Sequence, residues 1–114
     1  ISNHGARQLD TAPATVEVLP EIARAVGGRC EIYIDGGISR GTDVLKCLAL
    51  GARGVFIGRP VLWGLCHNGA EGVARVIQLL KDELEMALRL TGCTKLSDVK
   101  PSMVNPAFSL SSRL

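Results

Sequence analysis

Two short stretches, "EIYIDGG" at residues 31–37 and "GVFIGRP" at 54–60, share one pattern, and it constrains the fold of this chain more than any other feature. Each is a β-branched and aromatic run closed by glycine, which reads as a short buried strand giving way to a loop. Between them, "RGTDVLKCLALGARG" reads as a helix. Thr42 or Asp43 can cap it, Val44, Leu45, Leu48 and Leu50 pack inward, and Gly51 ends it. Beyond the second run, "AEGVARVIQLLKDELEMALRLTG" places Val73, Val76, Ile77, Leu80, Leu84, Ala87 and Leu88 at helical spacing, with Gly92 as the stop. Ahead of the first run, "ATVEVLPEIARAVGG" gives another helix, expected to start or kink at Pro20.

Short buried strands alternating with helices imply parallel strands joined by crossovers, an α/β fold. With 114 residues, 46% of them hydrophobic, the chain has apolar material for a core. It holds only two whole strands, however, whereas a parallel sheet needs both faces covered and a closed eightfold barrel takes about 250 residues. The expected architecture is the carboxyl-terminal part of a TIM (β/α)8 barrel, from the end of strand six through helix eight. Residues 1–92 form that barrel segment, and 93–114, with turn residues, two prolines and little periodicity, form an extended tail.

Composition removes several classes of function. The net charge is +2, with scattered Lys and Arg, so neither a nucleic-acid surface nor a basic membrane helix is expected. No apolar run approaches the roughly 18 residues of a membrane span. Cys30, Cys47, Cys66 and Cys93 form no C-x-x-C pair and read mostly as buried, reduced core residues, and His67 stands alone, a loop residue. No metal site is expected. Trp63 and Phe56 read as packing residues, and Asp82, Glu83 and Glu85 as a solvated helix face shared with Lys81 and Arg89.

Both strands end in glycine followed by a cation, in "DGGISRG" and "IGRP". Glycines let backbone N–H groups approach an anion, a following helix end adds a favourable dipole, and arginine gives a bidentate contact. Singly, each is an ordinary turn with a solvated arginine. As a pair they suggest phosphate, which barrels often bind in the loops after strands seven and eight. The opening "ISNHGARQLD" then acquires a meaning: if Ile1 and Ser2 finish strand six, His4 and Arg7 share the rim with those loops. Histidine, with an unperturbed pKa of about 6.5, suits proton abstraction, and arginine forks a carboxylate. The pair fits a substrate that carries a carboxylate beside a removable proton.

These motifs, "SNHGARQLD", "DGG" and "GTDVLKCLALGARGVFIGRP", closely resemble the FMN-dependent 2-hydroxy-acid oxidase family, relatives of glycolate oxidase, from Ile1 to about Gly92. The resemblance implies a barrel enzyme with FMN as cofactor that oxidises a small 2-hydroxy acid to a 2-oxo acid and passes electrons to oxygen, forming hydrogen peroxide. It implies His4 as the catalytic base and Arg7, with His4, as the substrate-binding pair. Ser2 matches a position near the flavin. Asp35, Gly36, Gly37 and Ile38 match the first phosphate and ribityl loop, and Gly58 with Arg59 the second. The family usually has arginine where Ser39 stands. Here it comes one residue later, at Arg40, so either Arg40 reaches in or one phosphate contact is lost.

The family also uses tyrosines, an aspartate that orients the histidine and a lysine near the flavin, all from the first half of the barrel. None has a counterpart here, so the chain is expected to be a fragment that is inactive alone, from an enzyme that is a homo-oligomer at full length. Two alternatives stand beside the oxidase: a dehydrogenase using an electron carrier, and a truncated product without catalysis. The final "SRL" resembles the peroxisomal address Ser-Lys-Leu, with Arg113 as the middle cation, which implies a peroxisomal import receptor as partner and a peroxisomal location.

Overall fold

The structure is a computed structural model and describes residues 1–105. It is mostly helical, with a small parallel sheet. In chain order the elements are α1 (Thr15–Val26), β1 (Tyr33–Ile34), α2 (Gly41–Ala49), β2 (Gly54–Val55) and α3 (Arg59–Leu90). Strand β1 pairs in parallel with β2, Tyr33 opposite Gly54 and Ile34 opposite Val55. Along the other edge of β1, the Ile1 amino group donates to the Tyr33 carbonyl at 2.5 Å, and the Ile1 carbonyl accepts the Asp35 N–H at 3.1 Å. Those two bonds flanking Ile34 are a parallel pairing, so the opening segment runs beside β1 in the same direction.

Alternation along β1 sorts its side chains between two faces. Ile34 is buried with Leu19 of α1, Cys47 of α2, Ile38 and Ala52, forming the core between sheet and helices. On the opposite face Tyr33 and Phe56 stand 43% and 62% exposed, their ring centroids 5.8 Å apart. Trp63 too is 66% exposed, so the packing expected of these two residues is partial, Phe56 lying against the Tyr33 ring. Both belong to surfaces that helices and strands of this length leave uncovered. At the foot of β1 the Tyr33 hydroxyl donates to Glu31 at 2.6 Å, and Arg53 Nε lies 3.3 Å from the same carboxylate. The phenol's hydrogen bond holds the Glu31 carboxyl below its ordinary range, and the carboxylate in turn raises the Tyr33 phenol.

Helix α1 runs through Pro20 without starting or breaking there, at the cost of the one hydrogen bond that proline cannot donate. The last helix starts earlier than its periodicity suggests, at Arg59, and "RPVLWGLCH" is helical, so His67 closes a helical segment rather than lying in a loop. Asn68 and Gly69 leave helical geometry and kink α3. Its two parts then pack through Gly64 and Gly72, both buried: a Cβ on Gly64 would lie 2.7 Å from the Gly72 carbonyl oxygen. No helix among the described residues is long and apolar enough to cross a membrane.

Where an extended tail is expected from residue 93, the backbone instead makes two tight turns, Leu96–Asp98 and Pro101–Met103, and Cys93 is buried with its sulfur 3.7 Å from that of Met103. Residues 106–114, including the "SRL" address, lie outside the described residues.

All four cysteines are free, and two rather than most of them are buried: Cys47 and Cys93 are buried, Cys30 and Cys66 exposed. Burial pushes the Cys47 thiol up. Since the thiolate is the reactive form, iodoacetamide at neutral pH is expected to label Cys30 and Cys66 of the folded chain and to reach the other two only on unfolding. Mass spectrometry of labelled peptides reads this out. Labelling of Cys47 as fast as Cys30 would refute the packing of α2.

Candidate active site

Three loops leave the three parallel segments, and they meet at one end of the sheet. The first, after Ile1, is conformationally unusual: His4, Gly5 and Ala6 all have positive φ, at 52°, 63° and 59°. Left-handed geometry costs an L-residue about 1–2 kcal/mol, so two of these three positions are held against their preference. What holds them is local. The His4 N–H donates to the Ser2 hydroxyl at 3.2 Å, and the Ala6 N–H to the Asn3 carbonyl at 3.0 Å. The Asn3 amide donates to the Pro13 carbonyl at 2.9 Å, tying the loop to the approach to α1.

The exposed His4 ring is oriented by Gln8, whose Oε1 lies 2.5 Å from Nδ1. With the Gln8 amide oxygen as acceptor, a neutral ring carries its proton on Nδ1 and leaves the Nε2 lone pair free. That is the state a general base requires. Arg7, at the end of the same turn, is exposed.

The second loop is Asp35–Gly36–Gly37, with φ of 94° and 77° at the two glycines. A Cβ on Gly36 would stand 3.1 Å from Thr15 Oγ1 and 3.6 Å from Asn3 Oδ1, so the first and second loops touch. A Cβ on Gly37 would meet nothing within 4 Å, which leaves its backbone open to a ligand. The third loop brings Gly58, likewise open, and Arg59, whose Nη2 would be 3.4 Å from a Cβ on Gly5. The Arg59 guanidinium thus rests against the histidine loop. Ser2, His4, Gly36, Gly37, Gly58 and Arg59 are brought to one rim.

Other expected participants are placed differently. The Ile38 side chain is buried in the core, leaving only its backbone for a ligand. The N–H groups of Ser39 and Arg40 both donate to Asp43, at 3.2 and 3.0 Å, and that of Gly41 donates to Glu83 of α3 at 2.7 Å. The amino end of α2 is therefore occupied by two carboxylates and offers an outside anion no donor from these three residues, contrary to the dipole contribution expected there. Capping falls to Asp43, reaching back from the third helical position, rather than to Thr42. Glu83, expected on a solvated face, instead ties α3 to α2. Anion contacts on this side are left to the side chains of Ser39 and Arg40, both exposed.

Sequence reasoning overlooked Asn3, Gln8, Thr15 and Glu83. Only Gln8 carried a signal, its spacing of four from His4; the other three act across the fold. Among the described residues no three His, Cys, Asp or Glu side chains gather as a metal site. An open apolar groove along α3 is lined by Val44, Val55, Ile57, Ile77, Leu80 and Leu84 and includes none of the expected site residues.

The model of one protein family, FMN-dependent dehydrogenase, matches residues 1–106. The chain belongs to this family. It is 53% identical over 104 residues to 2-hydroxyacid oxidase 1 of Mus musculus, covering 91% of this chain and 28% of the relative. To an L-lactate oxidase of Nostoc sp. it is 54% identical over 105 residues, covering 92% and 29%. In structure it resembles a flavocytochrome b2 variant with sulfite bound, with a TM-score of 0.88 and 44% identity over 99% of this chain and 30% of that one. The chain thus spans less than a third of the length of the curated relatives it matches. FMN is the cofactor of the FMN-dependent dehydrogenase family, and the rim suits it: the left-handed Gly36–Gly37 turn, the open backbone at Gly37 and Gly58 and the Arg59 guanidinium offer the kinds of backbone and charge contact that a phosphate requires.

Proposed function

We propose that this chain is the closing segment of an FMN-dependent 2-hydroxy-acid oxidase barrel, from the end of strand six through helix eight, with residues 93–114 as its tail. The convergence of the His4, Gly36–Gly37 and Gly58–Arg59 loops at one end of parallel strands carries this reading. The Ile1 pairing supports counting the opening segment as strand six.

In the mechanism, Arg7 forks the substrate carboxylate and sets the 2-carbon and its hydroxyl against His4 Nε2. His4 accepts a proton there, and Gln8 at Nδ1 holds the ring in the tautomer that allows it. The carbinol loses two protons and two electrons and becomes the carbonyl of a 2-oxo acid. Bound FMN would supply the two-electron acceptor, and in the oxidase reading oxygen is the final acceptor, giving hydrogen peroxide. Gly36, Gly37, Gly58 and Arg59 would hold the FMN phosphate and ribityl end, with Ser2 contributing near the ring and Ile38 through its backbone alone. A second reading, electron transfer to a carrier protein, is favoured by the likeness to a flavocytochrome. Delivery to the peroxisome through its import receptor, and assembly as a homo-oligomer, belong to the oxidase reading.

The test joins residues 1–114 to the barrel segment that precedes the matched region in 2-hydroxyacid oxidase 1. A yellow protein that consumes oxygen and releases an equal amount of peroxide with glycolate or lactate is the expected result. Reduction of a carrier without peroxide would favour the second reading, and a colourless protein would reject both. In the same protein, Ser39→Arg is expected to lower the FMN dissociation constant about tenfold, the gain of one charge-assisted contact of roughly 1.5 kcal/mol. An unchanged constant would assign the phosphate contact to Arg40.

A further inference from the structure

We propose that Thr15 is a positioning residue for the FMN cradle, a role that rests on the FMN reading above. Thr15 is the one polar side chain buried in the core among the described residues, 4% exposed. It opens α1, yet its hydroxyl serves another element: Oγ1 donates to the Asp35 carbonyl at 2.5 Å. The β-branched side chain has few rotamers, so the hydroxyl's position is fixed once α1 packs on β1.

Peptide geometry carries this contact to the ligand side of the loop. The Asp35–Gly36 unit is planar and trans, so its N–H points opposite to its C=O. Drawing the Asp35 oxygen toward α1 aims the Gly36 N–H away from α1, and no acceptor among the described residues takes it up. Gly36 must be glycine for the same reason, since φ is 94° and a Cβ would crowd Oγ1. Thr15 thereby presents a backbone donor to the phosphate or ribityl oxygens from beneath the loop, without touching the ligand itself.

The test compares Thr15→Ser with Thr15→Ala in the joined barrel, two variants that lose the same methyl and differ by the hydroxyl. Fluorescence titration gives the FMN dissociation constant, and thermal unfolding of the apoprotein reports the structural role separately. The expected result is a constant for Thr15→Ala about fivefold to tenfold above that of Thr15→Ser, the worth of one hydrogen bond, with Thr15→Ser near the parent. Should Thr15→Ala fail to fold, Thr15→Val, which keeps the shape and drops only the hydroxyl, takes its place in the comparison. Equal FMN constants for the hydroxyl-bearing and hydroxyl-free variants would overturn the proposal, whether or not the apoprotein unfolds earlier. A parent barrel that folds but binds no FMN would instead overturn the reading on which it rests.

Discussion

Replacing His4 by alanine in the joined barrel is expected to leave a yellow protein whose turnover of a 2-hydroxy acid falls at least about a hundredfold, the lower range for loss of a general base. In the proposed function, chemistry and cofactor binding fall on different loops, the first on the His4 ring and the second on Gly36, Gly37, Gly58 and Arg59. Alanine at φ 52° bears the same backbone strain that histidine bears, so the turn has no new reason to rearrange. The Ser2 hydroxyl still accepts the same backbone N–H. Flavin absorbance measures cofactor loading, and the rate of its bleaching by substrate measures the chemistry. Turnover within about tenfold of the parent would remove His4 from the base role, and loss of colour would show that the two functions are not separable.

The second large effect concerns stability. Gly41→Ala is expected to destabilise the fold by about 3 kcal/mol or more, the upper range of overpacking, and to lower Tm by well over 10 °C. Gly41 needs no special φ; it needs room. A Cβ there would overlap the Leu84 backbone nitrogen and stand 2.5 Å from the Glu83 carbonyl carbon, so α2 and α3 must separate. Separation also breaks the Gly41 hydrogen bond to the Glu83 carboxylate, a further cost of roughly 1.5–3 kcal/mol. Gly37→Ala is the control, meeting open space and incurring only left-handed strain of about 1–2 kcal/mol. Calorimetry that found the two variants equally stable would reject the close approach of α2 and α3.

Whatever repeats at short range was legible in the sequence. β-Branched and aromatic runs located both strands, helical spacing located the bodies of all three helices, and glycines after strands located two of the loops that meet at the rim. Contacts whose cause lies far along the chain could not be read in the same way. Glu83 reads as one acid among several on a polar face, because its partner stands 42 residues earlier. Thr15 draws no notice, because the carbonyl it holds is 20 residues away. The first part of α3 was missed for a local reason: the Asn68–Gly69 kink interrupts the periodicity, so "RPVLWGLCH" shows no stripe continuous with that of Val73 to Leu88. Exposure of Tyr33, Phe56 and Trp63 was equally beyond reach, since hydrophobicity says that a residue prefers cover, not that cover is supplied.

The Glu83 contact also sets an order of events. A ribosome releases Gly41 and the loop before it well before it releases the carboxylate that completes the hydrogen bonding of that helix end. Until then the amino terminus of α2 carries an unmatched donor, with nothing packed on the bare glycine. The junction of α2 and α3 is thus among the later contacts to form, and a product lacking α3 would carry α2 with a frayed amino end. Synthesis of α3 and the hydrogen bonding of the α2 amino end are linked through one side chain, so a nascent chain gains that tie only once residue 83 has been made.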